Sequence, residues 1–194
     1  MIKAIIFDCF GVLYPQASGD FFKRHKNLFG DNTAILDKLN LQIDLGEITR
    51  TQFFEGLQKI TGIYANKIRA EFDEELTADQ RLVEFIKKLR PTYKTGLLSN
   101  AGEEEIAIIY RDKLDSLFDA IAISYEVNSV KPDPEIFLAC TRRLGIDPRE
   151  CVFVDDSITN IEAAQKLSMQ TVLYPQFGIV PQELQLYLAP TMSA

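Results

Sequence analysis

Short apolar runs alternate with amphipathic segments along most of this chain of 194 residues. Five runs have the length and apolar content of buried strands. They occupy residues 2–7, 95–99, 120–124, 151–155 and 170–173. Between them lie apolar residues at helical spacing, as in the stripe at residues 80–89 that ends before Pro91. This alternation predicts an α/β fold with a parallel sheet that carries helices on both faces.

Capping residues identify the starts of two further helices. Asp133 and Pro134 form a cap followed by a first-turn proline, and the apolar positions after them predict a helix that ends at Gly145. Another helix is predicted to begin near Ser157. The two helices flank the fourth apolar run, as expected for a parallel sheet with helical connections.

Residues 15–79 differ from the rest of the chain because they show helical periodicity without a convincing strand. We predict that they form an inserted α-helical cap, and that residues 1–14 and 80–194 form the core domain. The cap follows the first strand directly. It would therefore overhang the carboxyl ends of the strands, where open α/β sheets bind their ligands.

The composition limits the partners of the chain. With a formal net charge of −7 and no run of five basic residues, it is not expected to bind nucleic acid or an anionic membrane. No apolar stretch approaches the roughly 18 residues of a membrane span. The three cysteines lack metal-ligand spacing, so we expect packing residues in a reducing, cytoplasmic setting. His25, the only histidine, lies among basic residues and is expected to be solvated.

Polar residues follow several of the predicted strands. Asp8 follows the first strand and precedes a glycine turn, Ser99 and Asn100 end the second, and Asp155 and Asp156 end the fourth. Because the carboxyl ends of parallel strands meet at one edge of a sheet, we expect the acids among them to converge there. A buried carboxylate delivered to that edge is a candidate nucleophile.

Four separated motifs resemble those of the haloacid dehalogenase-like (HAD) hydrolases, and together they extend over nearly the whole chain. They comprise Asp8 with Gly11 and Val12, residues 97–100, residues 130–137, and residues 152–157 with Asn160. Residues 125–164 are especially similar to the phosphoglycolate phosphatase-like branch with an N-terminal helical cap. The resemblance implies a Rossmann-like three-layer sandwich and a phosphatase-type hydrolase that acts on a small phosphorylated metabolite.

The resemblance also implies a division of roles around Mg²⁺. Asp8 would be the nucleophile, and its attack on phosphorus would give an aspartyl-phosphate. Mg²⁺ prefers few, hard oxygen ligands, and the expected ligands are Asp8, the backbone carbonyl of Phe10, Asp155 and Asp156. Asp155 would bind directly or through a water, and Asn160 would steady these ligands.

Three residues are expected to act on the substrate phosphate. Ser99 and Asn100, next to a helix N-terminus, would form a phosphate cradle. Lys131 would supply the fixed positive charge that several carboxylates and a phosphate require, as both a binding and a catalytic residue. Gly11 is expected to give the turn after Asp8 its backbone freedom.

Phe10 departs from the phosphatase pattern, in which a second Asp two residues after the nucleophile acts as general acid and base. A phenyl ring cannot transfer a proton, and such help is typically worth about 10²–10⁴-fold in rate. We therefore expect slow phosphatase turnover. Dehalogenases of this superfamily have an aromatic residue at the matching place but do not depend on Mg²⁺. Phe10 and the Asp155–Asp156 pair therefore favour different chemistries.

Two alternatives remain open at this point. One is a non-catalytic HAD-fold protein that binds a phosphorylated ligand for regulation, and the other is a dehalogenase-like hydrolase. Single motifs also have purely structural interpretations. A strand-to-helix cap would account for residues 155–157, a bare turn for Ser99 and Asn100, and a solvated loop for Lys131.

Overall fold

A computed structural model describes residues 1–73 and 76–188, and in it five strands form one parallel sheet. In chain order they are β1 (Ala4–Phe7), β2 (Lys94–Ser99), β3 (Ala120–Ile123), β4 (Cys151–Asp155) and β5 (Gln170–Leu173). Their spatial order is β3-β2-β1-β4-β5, and all neighbouring pairs are parallel. β1 is therefore central, and its carboxyl end lies between those of β2 and β4.

The predicted parallel sheet is confirmed, with small differences at the strand ends. β1 begins at Ala4, because the register pairs this residue with the first residues of both neighbours, Lys94 and Cys151. Lys3, before the strand, still forms backbone hydrogen bonds to both sides: its N–H donates to the Glu150 carbonyl at 2.8 Å and its carbonyl accepts from the Lys94 amide at 3.0 Å. Ser124 does not end β3 but begins a short helix, and its hydroxyl oxygen accepts a hydrogen bond from the Ala101 amide.

The described residues contain eleven α-helices. Six lie between β1 and β2: α1 (Ala17–Arg24), α2 (Lys26–Phe29), α3 (Thr33–Asp44), α4 (Arg50–Thr61), α5 (Ala65–Asp73) and α6 (Gln80–Leu89). The others are α7 (Glu103–Arg111), α8 (Ser124–Val127), α9 (Pro134–Leu144), α10 (Ile158–Lys166) and α11 (Gln182–Gln185). Within residues 1–73 and 76–188, none of these helices is both long and apolar enough to cross a membrane.

Side chains of β1 alternate between two hydrophobic clusters, one on each face of the sheet. Ile5 and Phe7 belong to the cluster that includes residues of α6 and α7, whereas Ala4 and Ile6 pack with residues of α9 and α10. All four are completely buried. This two-sided burial explains why the strand is apolar throughout and lacks a polar face. Burial of each larger side chain contributes roughly 1.5–3 kcal/mol.

The helix starts predicted at Asp133 and near Ser157 are confirmed, although the Ser157 side chain forms no capping hydrogen bond. The Asp133 carboxylate accepts a hydrogen bond from the Glu135 amide at 2.8 Å, and Pro134 occupies the first turn of α9. Gly145 ends this helix in the left-handed conformation, with φ +69°, where a residue without Cβ is favoured. The same logic starts α6, where Asp79 accepts from the Arg81 amide.

Helices α1–α5 share a third buried cluster that is separate from the two clusters on the sheet. It consists of Phe21, Phe29, Ile43, Phe53, Phe54, Leu57, Ile68 and Phe72. Several ring pairs meet edge to face, such as Phe54 and Phe72 with centroids 5.2 Å apart. The helical character predicted for this segment holds over its described residues, whereas its role as a cap stays a prediction.

The expectation that His25 is solvated is wrong. Its ring centroid lies 4.5 Å from that of the buried Phe21, and its Nε2 atom lies 3.0 Å from Glu71 Oε2. Only 24% of the side chain is exposed. The basic neighbours along the chain gave no indication of this, because Phe21 lies one helical turn away and Glu71 comes from α5.

Candidate active site

Asp8 directly follows β1 at the centre of the sheet edge, and only 5% of its surface is exposed. Its Oδ1 atom accepts a hydrogen bond from the Cys9 amide at 2.6 Å and lies 2.6 Å from Lys131 Nζ. No group in the described part of the chain donates to Oδ2. The carboxylate is thus held through one oxygen, while the other is available to a ligand in the adjoining cavity.

Lys131 is a buried cation between strand ends. Its Nζ atom lies 2.8 Å from Asp155 Oδ2 and donates to the Leu98 carbonyl at 3.3 Å. Burial alone lowers the pKa of a lysine, but the Asp8 and Asp155 carboxylates outweigh burial and raise the pKa of Lys131. The ammonium therefore stays charged at neutral pH and holds both acids in place.

Asp155 ends β4 without exposed surface, and hydrogen-bond donors surround its carboxylate. The Ser157 amide donates to Oδ1 at 2.8 Å, and Asn160 Nδ2 lies 3.0 and 3.1 Å from the two oxygens. With Lys131, these contacts fix the carboxylate in a single orientation. Asn160 thus contacts Asp155 directly, in the supporting position that the motif implies.

Three carboxylates form an acidic cluster at the sheet edge. One oxygen from each of Asp8, Asp155 and Asp156 can be chosen so that all three lie within 4.8 Å of one another. Mg²⁺ takes hard oxygen donors of this kind, so the donor set fits that ion. Both oxygens of Asp155 already accept hydrogen bonds, which favours direct ligation by Asp8 and Asp156 and a water-mediated role for Asp155.

Gly11 gives Asp156 the space that it occupies. Its φ is +97°, and a Cβ atom there would lie 2.4 Å from Asp156 Oδ2. Any larger residue would displace either this turn or the carboxylate. The backbone freedom predicted for Gly11 is accompanied by a close contact that the sequence did not indicate.

The site holds more negative than positive charge. Burial, together with the Asp155 and Asp156 carboxylates, raises the pKa of Asp8, although the Lys131 ammonium opposes the shift. Burial and Asp155 likewise raise the pKa of Asp156. With three acids and one ammonium, the site favours the binding of a further positive charge.

Ser99 ends β2 beside this cluster, Asn100 follows it directly, and both residues line the same cavity. The Asn100 amide forms a double contact with the Lys131 backbone: Oδ1 accepts from its N–H at 2.7 Å and Nδ2 donates to its carbonyl at 3.0 Å. Asn100 thus fixes the loop that carries Lys131. One of its amide hydrogens remains for the phosphate contact that the resemblance implies, which stays a prediction.

A cavity of about 780 Å³ adjoins the acidic cluster. Asp8, Lys131 and the half-buried ring of Phe10 line it from the sheet edge, and Phe53 and Phe72 line it from the helical insert. No titratable atom of residue 10 can face this space. The carbonyl contact expected of Phe10 to a metal stays a prediction.

The cavity wall also holds two acids with a raised pKa, Asp44 and Glu105, that were not predicted as site residues. Asp44 ends α3, and burial together with Glu105 raises its pKa to about 7, although Lys131 opposes the shift. Burial also raises the pKa of Glu105, whose Oε2 accepts from the Gly102 amide at 2.9 Å. The only available signal was the position of Glu105 three residues after the N-cap of α7. No pattern marks Asp44.

Comparison with known proteins shows the family to which this chain belongs. A family model described as haloacid dehalogenase-like hydrolase matches residues 2–167. The phosphorylated carbohydrates phosphatase of Thermotoga maritima is 24% identical over 191 residues, which cover 92% of this chain and 86% of the relative. The (S)-2-haloacid dehalogenase 4A of Burkholderia cepacia is 31% identical over 111 residues, which cover 56% of this chain and 48% of the relative.

Among solved structures, a HAD family enzyme from Bacteroides thetaiotaomicron in complex with magnesium and inorganic phosphate is similar over nearly its whole length. It has a TM-score of 0.74 and 31% sequence identity, and the match covers 95% of this chain and 99% of that chain. Both the family model and this structural relative extend over most of the molecule. The chain therefore belongs to the haloacid dehalogenase-like hydrolase family.

Proposed function

We propose that this protein is a cytoplasmic, Mg²⁺-dependent phosphatase that hydrolyses a small phosphorylated metabolite through an aspartyl-phosphate on Asp8. The observation that carries the proposal is the state of the Asp8 carboxylate. One oxygen is held by the Lys131 ammonium and the Cys9 amide, and the other is available to the cavity. A nucleophile in phosphoryl transfer needs this combination of fixed position and one accessible oxygen.

In the first step, the free oxygen of Asp8 forms a bond to phosphorus as the bond between phosphorus and the leaving oxygen breaks. In the second step, water attacks the same phosphorus, the bond to Asp8 breaks, and inorganic phosphate and the free carboxylate result. Lys131 remains charged throughout and keeps Asp8 oriented for both attacks. Asp155 holds Lys131 in turn, at 2.8 Å, and does not itself need to touch the substrate.

The metal has a clear electrostatic reason to bind. A phosphate brings further negative charge to a site that already holds three carboxylates against one ammonium. A bound Mg²⁺ would offset that charge and polarise the phosphoryl oxygens. Asp8 and Asp156 would hold it, together with Asp155 and the Phe10 carbonyl as the family resemblance implies. Structures of the Bacteroides thetaiotaomicron HAD family enzyme in complex with magnesium support this assignment.

Substitution of Asp156 by asparagine tests the metal assignment. Because an amide carries no net charge, we expect clearly weaker Mg²⁺ binding in calorimetry of the folded variant. Glu162→Gln is a matched control, since Glu162 is exposed on α10 and lies outside the cavity lining. The control should bind Mg²⁺ as the wild type does. Equal affinities in the wild type and Asp156→Asn would remove Asp156 from the metal site.

We further propose that residues 15–79 act as a helical cap over a core of residues 1–14 and 80–194. Support comes from the separate hydrophobic cluster of the insert and from its side chains in the cavity wall, among them Arg50 and Phe53. Selection of the substrate would then reside in the insert. This arrangement resembles the phosphoglycolate phosphatase-like branch of the family.

Phe10 favours a second candidate, a dehalogenase-like hydrolase that acts at carbon, because halide leaves without a proton. The partial match to a haloacid dehalogenase supports that candidate. A panel of phosphate esters, acyl phosphates and 2-haloacids, assayed with and without Mg²⁺, separates the possibilities. Mg²⁺-dependent phosphate release supports the phosphatase, and metal-free halide release supports the dehalogenase. Saturable binding without turnover would indicate a regulatory phospho-ligand protein.

A further inference from the structure

The cavity contains an acid in addition to the Asp8 cluster, and its position bears on the proton transfer that Phe10 cannot perform. We propose that Asp44 is the general acid and base of the reaction at Asp8. This inference rests on the proposed phosphatase function and adds to it a catalytic residue from the helical insert. With Asp44 in this role, the lack of a proton-transfer group at Phe10 no longer implies slow turnover.

The end of α3 is bound to the edge of the sheet, which keeps Asp44 in the wall of the cavity that Asp8 lines. The Ser124 hydroxyl donates to the Asp44 backbone carbonyl and accepts from the Ala101 amide at 2.9 Å. A Cβ on Gly102 would lie 2.9 Å from the Ile43 carbonyl, so the two segments are in direct contact. The backbone around Asp44 therefore packs on the segments that follow β2 and β3.

Outside the acidic cluster at Asp8, the Asp44 carboxyl group differs from the other acids of the cavity, Asp73, Glu104 and Glu105, each of which has a hydrogen-bond or ion-pair partner. Asp73 forms an ion pair with Arg50 at 2.5 Å, and Glu105 accepts from the Gly102 amide. Asp44, by contrast, accepts no side-chain hydrogen bond or ion pair from residues 1–73 or 76–188, although it lines the cavity with Asp8. A carboxyl group in this state can bind a substrate oxygen.

The electrostatic surroundings suit a group that both donates and accepts protons. Burial is the main cause that raises the pKa of Asp44 to about 7, Glu105 of α7 adds to it, and the Lys131 ammonium opposes it. Arg50, at the start of α4, lowers the pKa of Glu105 and so favours the charged form of Glu105 that acts on Asp44. An acid with such a pKa is close to half protonated at neutral pH, where general acid–base catalysis works best.

The proton transfers proposed for Asp44 need no reactant other than the substrate and water. As the bond from phosphorus to the leaving oxygen breaks, the protonated Asp44 gives its proton to that oxygen and the alcohol departs. Asp44, now a carboxylate, then takes a proton from the water that attacks the phosphorus of aspartyl-phosphate. The bond to Asp8 breaks, phosphate leaves, and both acids return to their starting states.

Leaving-group chemistry provides the test. Asp44→Asn, Asp44→Glu and the wild type are assayed with Mg²⁺ on an alkyl phosphate and on p-nitrophenyl phosphate, whose leaving oxygen needs no proton. We expect Asp44→Asn to lower kcat for the alkyl ester by about 10²–10⁴-fold and to lower it far less for the aryl ester. In the wild type, kcat for the alkyl ester should fall above pH 7, and this pH dependence should be absent from Asp44→Asn. Asp44→Glu should recover part of the rate.

Glu47→Gln is the matched control, because Glu47 lies three residues further along, is exposed and does not line the cavity. It should match the wild type on both esters. A second measurement uses Phe10→Asp in the Asp44→Asn background, where the new carboxylate should raise alkyl turnover. The melting temperature of Asp44→Asn at pH 8 should equal or exceed that of the wild type. When the pKa of an acid is higher in the folded than in the unfolded protein, the folded state loses stability as the pH rises through the folded pKa. The asparagine variant does not have this loss.

The outcomes distinguish this inference from the proposed function. If Asp44→Asn slows both esters equally, or neither, while the wild type hydrolyses them, the phosphatase assignment stands and the role of Asp44 is overturned. If the wild type releases phosphate from no ester, both are overturned. If Asp44→Asn selectively loses hydrolysis of the alkyl ester, and if its kcat no longer falls above pH 7, the role of Asp44 is supported.

Discussion

Replacement of Asp8 by asparagine is expected to reduce phosphate release on the order of 10⁶-fold, the scale seen when a covalent nucleophile is removed. The amide retains the size of the side chain but cannot attack phosphorus. Steady-state turnover of p-nitrophenyl phosphate with saturating Mg²⁺ measures the effect. Asp37→Asn, an exposed change on α3, is the matched control and should retain full activity. Activity of Asp8→Asn within tenfold of the wild type would require a different nucleophile.

Loss of the Lys131 charge should have the largest effect on stability. Lys131→Gln leaves Asp8 and Asp155 buried without their shared counterion, which typically costs about 3–5 kcal/mol. Urea unfolding at pH 7.5 should show this loss in the free energy of unfolding. Lys166→Gln, at an exposed lysine of α10, should be close to neutral. An unchanged free energy of unfolding in Lys131→Gln would contradict the buried ion-pair network.

The pH dependence of that variant provides a further check on the same cause. Burial already raises the pKa of Asp8, and removal of the ammonium raises it more. A folded pKa above the unfolded one means that protonation favours the folded state, so stability is gained as the pH falls. The difference in the free energy of unfolding between the wild type and Lys131→Gln should therefore become smaller as the pH is lowered towards about 4, the ordinary carboxyl pKa.

Much of the site followed from the sequence because parallel topology converts separation along the chain into proximity. Asp8 follows β1 and Asp155 ends the neighbouring strand β4, so the proximity of their carboxylates follows from the strand order and not from the details of side-chain packing. The same reasoning brought Ser99 to this edge through β2. The local signals were equally direct, since caps such as Asp133 act within a few residues along the chain.

What the sequence did not reveal depends on how the insert packs against the sheet. Asp44 is one of many polar residues on amphipathic helices, and only the packing of the end of α3 against Ser124 and Gly102 brings it into the wall of the cavity that Asp8 also lines. The structural role of Asn100 could not be predicted from the sequence either. Its amide holds the Lys131 backbone, a contact between residues far apart along the chain that no spacing rule encodes.

Direct detection of the covalent intermediate tests the central claim most closely. Rapid-quench mass spectrometry after mixing the enzyme with Mg²⁺ and p-nitrophenyl phosphate should reveal a phosphate adduct on the peptide that contains Asp8, formed within the first turnover. The adduct should be absent from Asp8→Asn and should decay as inorganic phosphate appears. Phosphate release that proceeds while the peptide stays unmodified, or an adduct on another residue, would contradict catalysis through an aspartyl-phosphate on Asp8.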